Sequence, residues 1–273
     1  MTKTRLMNSP KAIEAAFKTA AQAQPQFALG VSYAIGSAEP VVFTSGPTRK
    51  GGSTAVAPDA PWHIGSVSKS FTSTLVMRFV ERGLLDLDAP ISEYLSAYQA
   101  QMHDDWKSCT LRQLLSHTSG LAANPPKALT RKTCMADSEI GRRTVLAAVW
   151  GHPKAAQAGQ FLYSNLGYML AGFVCEVAAQ SSWEHLILKE LAAPLGLQSL
   201  GFGAPAQEGA AFGHKSILGF KRPVDPSRPD ADNPQWMGPA GTIHLTLSDL
   251  VKWGQFHLQA SRGDQTGLLS TQS

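Results

Sequence analysis

The stretch HIGSVSKSFTSTL, residues 63–75, places a serine and a lysine three positions apart where a long apolar helical pattern begins. On a helix, residues i and i+3 share one face with Cβ atoms about 5–6 Å apart, so the amine of Lys69 can reach the hydroxyl of Ser66. A serine hydroxyl becomes a useful nucleophile when a neighbour takes its proton, and desolvation lowers the pKa of a lysine toward that role. The first helical turn also presents free N–H groups that can stabilise an oxyanion. The alternative is that Ser66, Ser68 and Ser70 only cap the helix and that Lys69 is a surface residue.

A second motif, Tyr163-Ser164-Asn165, directly precedes another helical pattern. Tyrosine has an ordinary pKa of about 10 and relays protons when nearby positive charge lowers that value, a charge that Lys69 would supply. The alternative is that Asn165 is simply the N-cap of its helix. Each motif occurs once in the chain, and the two together, at two helix starts, favour a shared site more than either does alone.

The elements that must position these motifs follow from hydrophobic periodicity and from turn residues. An amphipathic helix is expected over residues 10–23, followed by a β-hairpin of residues 27–35 and 40–44. The apolar stripe after Ser66 predicts a buried helix that stops at Gly83. The later predictions are capping boxes at 110–113 and 246–249, a long loop over 122–137, helices over 166–177 and 183–191, and a Gly- and Pro-rich region over 201–240.

Strands are thus followed by a long helical block and then by a return segment. This order predicts an α+β fold, in which helices flank an antiparallel sheet and a mainly helical subdomain is inserted. We expect a single domain over residues 1–273 with three parts. Residues 1–65 form the N-terminal helix and hairpin, residues 66–200 the helix after Ser66 and the helical subdomain, and residues 201–273 the return toward the sheet.

The composition argues against several classes of protein. Hydrophobic residues make up 43% and charged residues 16% of 273 positions, which is typical of a folded protein with a sizeable core. The net charge is +4, but the basic residues are scattered, so we expect no nucleic-acid partner. Three widely spaced cysteines, histidines without metal-site spacing, and the absence of a P-loop or dinucleotide fingerprint predict neither a metal nor a cofactor.

Targeting signals are likewise not visible in the printed sequence. The N-terminal segment has no apolar core of a signal peptide, which predicts a cytoplasmic protein, or a periplasmic one if an export signal has been removed. No apolar run approaches the roughly 20 residues that span a bilayer, so no membrane span is expected. The sequence leaves the oligomeric state open.

Four stretches together resemble the serine β-lactamase-like hydrolases, in particular class C β-lactamases, D-alanyl-D-alanine carboxypeptidases and related esterases. They are WHIGSVSKSFTSTLVMRFVERGLLDLDAPISEYL, LLSHTSGL at 114–121, YSNLGYMLAG at 163–172 and GPAGTIHLTLSDLVKW at 238–253. The resemblance implies a β-lactamase/transpeptidase-like fold and an acyl-enzyme hydrolase of an ester, peptide or β-lactam carbonyl. It also implies Ser66 as nucleophile, Lys69 as its activating partner, Tyr163 as general base and then acid, and Asn165 as a group that holds substrate or Lys69.

One motif of that family is missing from the printed sequence. Its members carry K-T-G or H-T-G on a C-terminal strand that supplies a second oxyanion N–H, and the resemblance implies that the chain ends before the last strands. The nearest matches are in a predicted loop at 132–134, in a predicted helix at 252–254 and just after that helix at 265–267. Three hypotheses therefore stay open: an active serine hydrolase, a binding or sensor module that acylates slowly, and a non-functional fragment.

Overall fold

The computed structural model describes residues 9–263 and 267–269. Its N-terminal part has the predicted helix, α1 (Pro10–Ala23), and the predicted hairpin of β1 (Leu29–Tyr33) and β2 (Val41–Ser45). The two strands are antiparallel, with Leu29 opposite Ser45. Phe17 of α1 stacks on Phe43 of β2, with ring centroids 5.7 Å apart, and this contact holds the helix against the hairpin.

The helix after Ser66 is confirmed, but it begins with a 3₁₀ turn and not with a single capping residue. A 3₁₀ turn, Gly65–Val67, leads into α2 (Ser68–Glu81), whose apolar stripe is buried. The helix ends as predicted at Gly83, which has a φ of +68° that glycine adopts without strain. Phe71 of α2 stacks on Trp253, with ring centroids 3.8 Å apart, which fixes this helix against the C-terminal one.

A block of helices follows, with the capping box at Thr110–Gln113 formed as predicted. The helix α8 is buried along most of its length, because its sequence is apolar on nearly every side, and it packs against α2. The bounds are α3 (Ile91–Tyr94), α4 (Asp104–Lys107), α5 (Leu111–Leu115), α6 (Lys127–Thr133), α7 (Ser138–Val149), α8 (Asn165–Ala179), α9 (Trp183–Ile187) and α10 (Ala193–Leu195), with a π-helical segment at Leu188–Ala192.

The long loop predicted over residues 122–137 is wrong in its middle, where α6 forms. Its sequence is made of ordinary helix formers with a single large apolar side chain, so periodicity alone could not reveal it. Tertiary contact stabilises the helix instead: the indole Nε1 of Trp236 donates to the carbonyl of Thr133 at 3.0 Å.

The return segment also contains elements that the sequence did not predict. Residues 201–240 include β4 (Gly201–Phe202), a hairpin of β5 (His214–Ile217) and β6 (Phe220–Pro223), and α11 (Gly238–Gly241). The strands β3 (Pro61–His63), β7 (Ile243–Thr246) and β4 form one antiparallel sheet in the order β3-β7-β4. The described strands thus form three small antiparallel sheets, flanked by helices, and the fold is α+β as predicted.

The last described helix is α12 (Leu247–Ser261). Thr246 caps it, accepting from the N–H of Asp249 at 3.2 Å. The second hydrogen bond of the predicted capping box, from the N–H of Thr246 to the side chain of Asp249, is replaced by another. The N–H of Thr246 donates instead to the Ser199 hydroxyl at 2.9 Å, because the Asp249 carboxylate is engaged by Ser199 and Lys252. No helix among the described residues is long and apolar enough to cross a bilayer.

Candidate active site

Ser66 lies in the 3₁₀ turn that connects β3 to α2, with its side chain exposed. The preceding Gly65 has a φ of +54°, a conformation that glycine adopts readily. The N–H of Gly65 donates to Nδ1 of His63 at 3.1 Å, so the proton of that ring is on Nε2, which lies 2.8 Å from Oδ2 of Asp232. A carboxylate and an imidazole thus fix the turn that presents Ser66.

Lys69 is the centre of the site. It is only 6% exposed, and its Nζ lies 3.2 Å from Oγ of Ser66, 2.8 Å from Oδ1 of Asn165 and 2.6 Å from the carbonyl oxygen of Ala240. An ammonium has three N–H donors, so these three acceptors use all of them. A neutral amine would keep two donors for Asn165 and Ala240 and turn its lone pair toward the hydroxyl of Ser66.

The aromatic ring of Tyr163 lies beside this amine, 4.9 Å from Nζ of Lys69 to the ring centroid. Burial lowers the pKa of Lys69 below its ordinary value, although the Tyr163 phenol acts in the opposite direction. Partial burial raises the pKa of Tyr163, but polar interactions of its phenol with Lys69 and Ser66 outweigh that effect, so its pKa is lower than usual. Lys69 therefore makes the phenolic proton of Tyr163 easier to lose, whereas burial is what makes the proton of Lys69 easier to lose.

Asn165 is not the N-cap of α8, because Ser164 takes that position. The Ser164 hydroxyl accepts from the N–H of Gly167 at 2.9 Å and donates to the carbonyl of Ala122 at 2.7 Å. Asn165 is free to turn its side chain toward the site, where Oδ1 accepts from Lys69 and Nδ2 donates to Oδ1 of Asn124 at 2.8 Å. The structure therefore brings Ser66, Lys69, Tyr163 and Asn165 together.

His117 belongs to the site, although the sequence did not assign it a role. Its ring packs against the ring of Tyr163, with centroids 4.3 Å apart, and its Nδ1 accepts from the N–H of Ser164 at 3.0 Å. Burial, and then the charge of Lys69, lowers the pKa of His117, which keeps the imidazole neutral at neutral pH. His117 lies in the turn S-H-T-S-G with a φ of +60° that a non-glycine residue seldom adopts, and this backbone conformation cannot be read from the sequence.

Ser68 and Ser70, which follow Ser66 in this stretch, are helix residues, as predicted, and both also bind neighbouring elements. Ser68 donates to the carbonyl of Gly65 at 2.7 Å and accepts from the N–H of Ile243 in β7 at 3.0 Å. Ser70 accepts from the indole of Trp253 in α12 at 2.9 Å. These bonds distinguish them from Ser66, whose hydroxyl contacts Lys69.

None of the three nearest matches to K-T-G is shown at this site. Lys132 and Thr133 lie in α6, and Lys252 lies in α12, where it pairs with Asp249 at 2.8 Å. Of the third match, Gln265 and Thr266 lie outside the described residues. Within the described parts of the chain, no group of three or more histidine, cysteine, aspartate or glutamate residues could hold a metal ion.

The chain was compared with known proteins at the level of family, sequence and structure. The profile of the family described as Beta-lactamase matches residues 17–273. Penicillin-binding protein 4 of Amycolatopsis lactamdurans is 32% identical over 236 residues, which are 85% of this chain and 60% of the relative. Protein flp of Staphylococcus aureus is 24% identical over 206 residues, 74% of this chain and 39% of the relative. The chain thus spans less than two thirds of the length of each of these curated relatives.

Solved structures share the fold at lower sequence identity. An octameric penicillin-binding protein homologue from Pyrococcus abyssi superimposes with a TM-score of 0.73 at 20% identity, covering 97% of this chain and 59% of that one. A D-amino acid amidase from Ochrobactrum anthropi SV3, complexed with L-phenylalanine amide, gives 0.73 at 22% identity, covering 96% and 71%. These two likenesses show the β-lactamase/transpeptidase-like fold.

On this fold the site consists of a serine at a helix start, a buried lysine in contact with its hydroxyl, and an adjoining Tyr-Ser-Asn turn. The chain belongs to the Beta-lactamase family, whose members are serine hydrolases.

Proposed function

We propose that this chain is a serine hydrolase that forms an acyl-enzyme on Ser66 from an ester, amide or β-lactam substrate. The observation that carries the proposal is the buried amine of Lys69, 3.2 Å from the Ser66 hydroxyl and bound to two further acceptors. A surface lysine beside a helix-capping serine would have neither the burial nor the fixed orientation. Membership of a family of serine hydrolases supports the same reaction class.

In the proposed acylation, the proton of the Ser66 hydroxyl passes to the neutral amine of Lys69 or to the phenolate of Tyr163. A bond forms between Oγ and the substrate carbonyl carbon, and the backbone N–H of Ser66 in the first helical turn donates to the developing oxyanion. The bond to the leaving group then breaks, and Tyr163 returns a proton to that group. Asn165 keeps Lys69 in place through the 2.8 Å hydrogen bond.

Deacylation needs a water molecule to attack the same carbonyl. Tyr163 is 41% exposed while its ring lies against Lys69, so its phenol is accessible to solvent on the substrate side. Acting as general base, it takes a proton from the water as the new C–O bond forms, and that proton returns to Oγ of Ser66 as the acyl bond breaks. One residue thus serves both half-reactions.

The side chains at the rim of the site bear on which acyl group the chain accepts. Phe161 is 72% exposed and lies edge-on to His117, with ring centroids 5.8 Å apart, so an aromatic surface extends from the Tyr163 side of the site. Amides and esters of aromatic amino acids match such a surface. The amidase that shares this fold was solved with L-phenylalanine amide, which makes the D- and L-isomers of that amide a suitable first pair of substrates.

The test is covalent labelling of the chain by a fluorophosphonate and by a fluorescent penicillin. We expect both to attach at Ser66, and the Ser66→Ala variant to remain unlabelled by intact mass. Ser73→Ala is the matched control, because the Ser73 hydroxyl bonds only the helix carbonyls of Lys69 and Ser70. Labelling that persists in Ser66→Ala, or no labelling of the folded parent, contradicts the proposal.

A second candidate is a binding or sensor module that acylates and releases product slowly. It would share the Ser66 adduct with the first candidate and differ from it in the rate of product release, which falls about 10²–10³-fold when one oxyanion donor is lost. An acyl adduct that stays on Ser66 for hours supports this candidate, whereas steady product release from phenylalanine amide or a β-lactam excludes it.

A further inference from the structure

The hairpin of β5 and β6 ends in an exposed apolar tip, which we define as Ile217, Leu218 and Phe220. Their exposed fractions are 49%, 93% and 69%. Strands of the hairpin pair only with each other, in a two-stranded sheet. A lone hairpin gains little from carrying three large apolar side chains in water, so the apolar tip needs an account outside the described fold.

The turn at the end of the hairpin is built against local preference. Leu218 has a φ of +50° and Gly219 a φ of +83°, and two positive φ values in a two-residue loop are the pattern of a type I′ turn. Asn-Gly is the favoured pair there, since asparagine tolerates the left-handed region and leucine does not. The chain therefore keeps an apolar side chain at the position where asparagine would stabilise the hairpin.

The charged residues behind the apolar tip are also arranged against local preference. Lys215 and Arg222 are paired directly across the two strands, and Lys221 is also exposed. Like charges in register are unfavourable unless an anion lies between them or against them. Asp230 already makes ion pairs with both Lys215, at 3.2 Å, and Arg228, at 2.8 Å. One carboxylate against two cations leaves positive charge there, and Lys221 and Arg222 lie outside these two ion pairs, so this end of the hairpin is cationic and suited to an anionic partner.

The order of these groups along the hairpin is that of a lipid interface. Strands rise about 3.3 Å per residue, so Lys215 and its cross-strand partner Arg222 lie at most about 10 Å behind Leu218. Interfacial segments bury apolar side chains about 5–10 Å into the boundary between headgroups and acyl chains, with cations at the phosphates. We propose that the β5–β6 hairpin docks the protein on an anionic lipid surface, with the apolar tip inserted and Lys221 and Arg222 at the headgroups.

An acidic protein groove would have to satisfy the same cations and also supply an apolar pocket for Leu218 and Phe220, which are 93% and 69% exposed. The lipid surface meets both needs without a matched shape. The proposal rests on the hairpin alone and is independent of the chemistry assigned to Ser66.

The test is co-sedimentation of residues 1–273 with phosphatidylcholine vesicles, with and without phosphatidylglycerol. We expect binding only when phosphatidylglycerol is present, weakening as salt rises. Leu218→Asn should weaken it at least about ten-fold, since a buried Leu contributes more than that factor. Lys221→Gln and Arg222→Gln should each weaken it about five-fold.

Insertion itself is measured with an environment-sensitive dye attached to Leu218→Cys in a Cys134→Ser background. The emission of the dye should shift to the blue when the tip enters the lipid.

The controls separate docking from folding. Asparagine suits the turn, so Leu218→Asn should unfold at the same temperature as the parent or a higher one, whereas a structural role for Leu218 predicts a loss. Ile140→Gln, which removes an apolar side chain of 67% exposure from α7, should leave vesicle binding unchanged. The proposal is overturned if the parent ignores anionic vesicles, if Leu218→Asn binds as the parent does, or if the hairpin variants change only self-association measured by light scattering.

Discussion

At the scale of single residues, the site depends on one cation that the fold keeps from water. Lys69 is buried, yet every donor of its ammonium has an acceptor, so the charge is tolerated without being fully stabilised. Its lowered pKa is the consequence of that balance, with burial as the largest cause. A lysine in this state can take a proton from Ser66 or hold Tyr163 as a phenolate, which an exposed lysine does poorly.

Replacing Lys69 by methionine, Lys69→Met, keeps an unbranched side chain and removes the amine. We expect acylation of Ser66 to fall about 10²–10⁴-fold, the usual contribution of a positioned acid–base group. The free energy of unfolding should also change its pH dependence. The folded parent binds fewer protons than the unfolded chain between the lowered pKa and 10.5, so its stability rises with pH in that window. The variant should lack this rise.

Urea unfolding from neutral pH to about pH 10 measures that difference, together with the rate of fluorophosphonate labelling. Lys189→Met provides the control, since Lys189 is exposed and its replacement should alter neither quantity. Parallel stability curves for the parent and Lys69→Met would mean that Lys69 is not held in a desolvated state.

The four residues of the site could be predicted because they lie in two short motifs whose chemistry requires them to meet. The remaining groups could not be predicted from the sequence. Ala240 contributes only a backbone carbonyl, which carries no sequence signature, and His117 acts through packing on Tyr163 and a bond to the Ser164 N–H. Backbone acceptors and rings brought by tertiary packing are visible only after the chain has folded.

At the scale of elements, α8 and α11 set the position of the carbonyl that binds Lys69. Gly172 of α8 faces Pro239 of α11, and a Cβ at Gly172 would lie 2.7 Å from Cβ of Pro239 and closer still to its Cγ. Pro239 also accepts a hydrogen bond from Thr72 at 2.8 Å, and the next residue, Ala240, accepts from Lys69. The absence of a side chain at Gly172 therefore lets α11 approach α8 closely, in the position from which Ala240 reaches Lys69 of α2.

Adding a single methyl group, Gly172→Ala, should move α11 away from α2 and lengthen the contact between Lys69 and Ala240. We expect labelling of Ser66 to slow about 10–100-fold, since displacements near 1 Å carry costs of that order. Overpacking should also lower the free energy of unfolding by about 1–3 kcal/mol. Labelling kinetics and urea denaturation measure the two effects.

The matched control for that change is Gly167→Ala on the same helix. A Cβ there would lie 3.5 Å from the carbonyl oxygen of Leu114, an ordinary contact, so this variant should keep the parent's labelling rate. If Gly172→Ala is destabilised but labels at the parent's rate, then α11 does not control the geometry of Lys69.

Elements with a strong periodic pattern were predictable, whereas those held by contacts from elsewhere were not. The stripe after Ser66 and the run over 166–177 identify α2 and α8, because burial on one or all sides requires those apolar residues. The β5–β6 hairpin has no Asn-Gly turn and no clean alternation, so its sequence resembles a loop. The apolar residue at a positive φ and the like charges in register are also the reason for proposing that this hairpin binds a lipid surface.

At the scale of the whole molecule, α12 joins the N-terminal hairpin to the central sheet. It packs against β1, β2 and β7, and Nε2 of Gln255 donates to the carbonyls of Gly36 and Ala38 at 2.9 Å in the hairpin turn. The site itself lies where β3, α2 and α11 meet, so the sheets position Ser66 through their connection to α12.

The close approach of β1 to this assembly depends on Gly30, and Gly30→Val tests it. A Cβ at Gly30 would lie 2.7 Å from Cδ1 of Leu247 and 2.8 Å from Cζ2 of Trp62, and valine adds two further methyl groups. The hairpin should separate from α12, lowering the free energy of unfolding by about 1–3 kcal/mol and speeding amide exchange in β1 and β2 more than in α8.

The control is Gly254→Ala, in open space within α12, which should instead stabilise the protein by up to about 1 kcal/mol. Urea denaturation measures the free energy of unfolding of both variants, and hydrogen exchange measures the opening of each element. If amide exchange in Gly30→Val is uniform across all elements, then the hairpin and the helical body unfold only together.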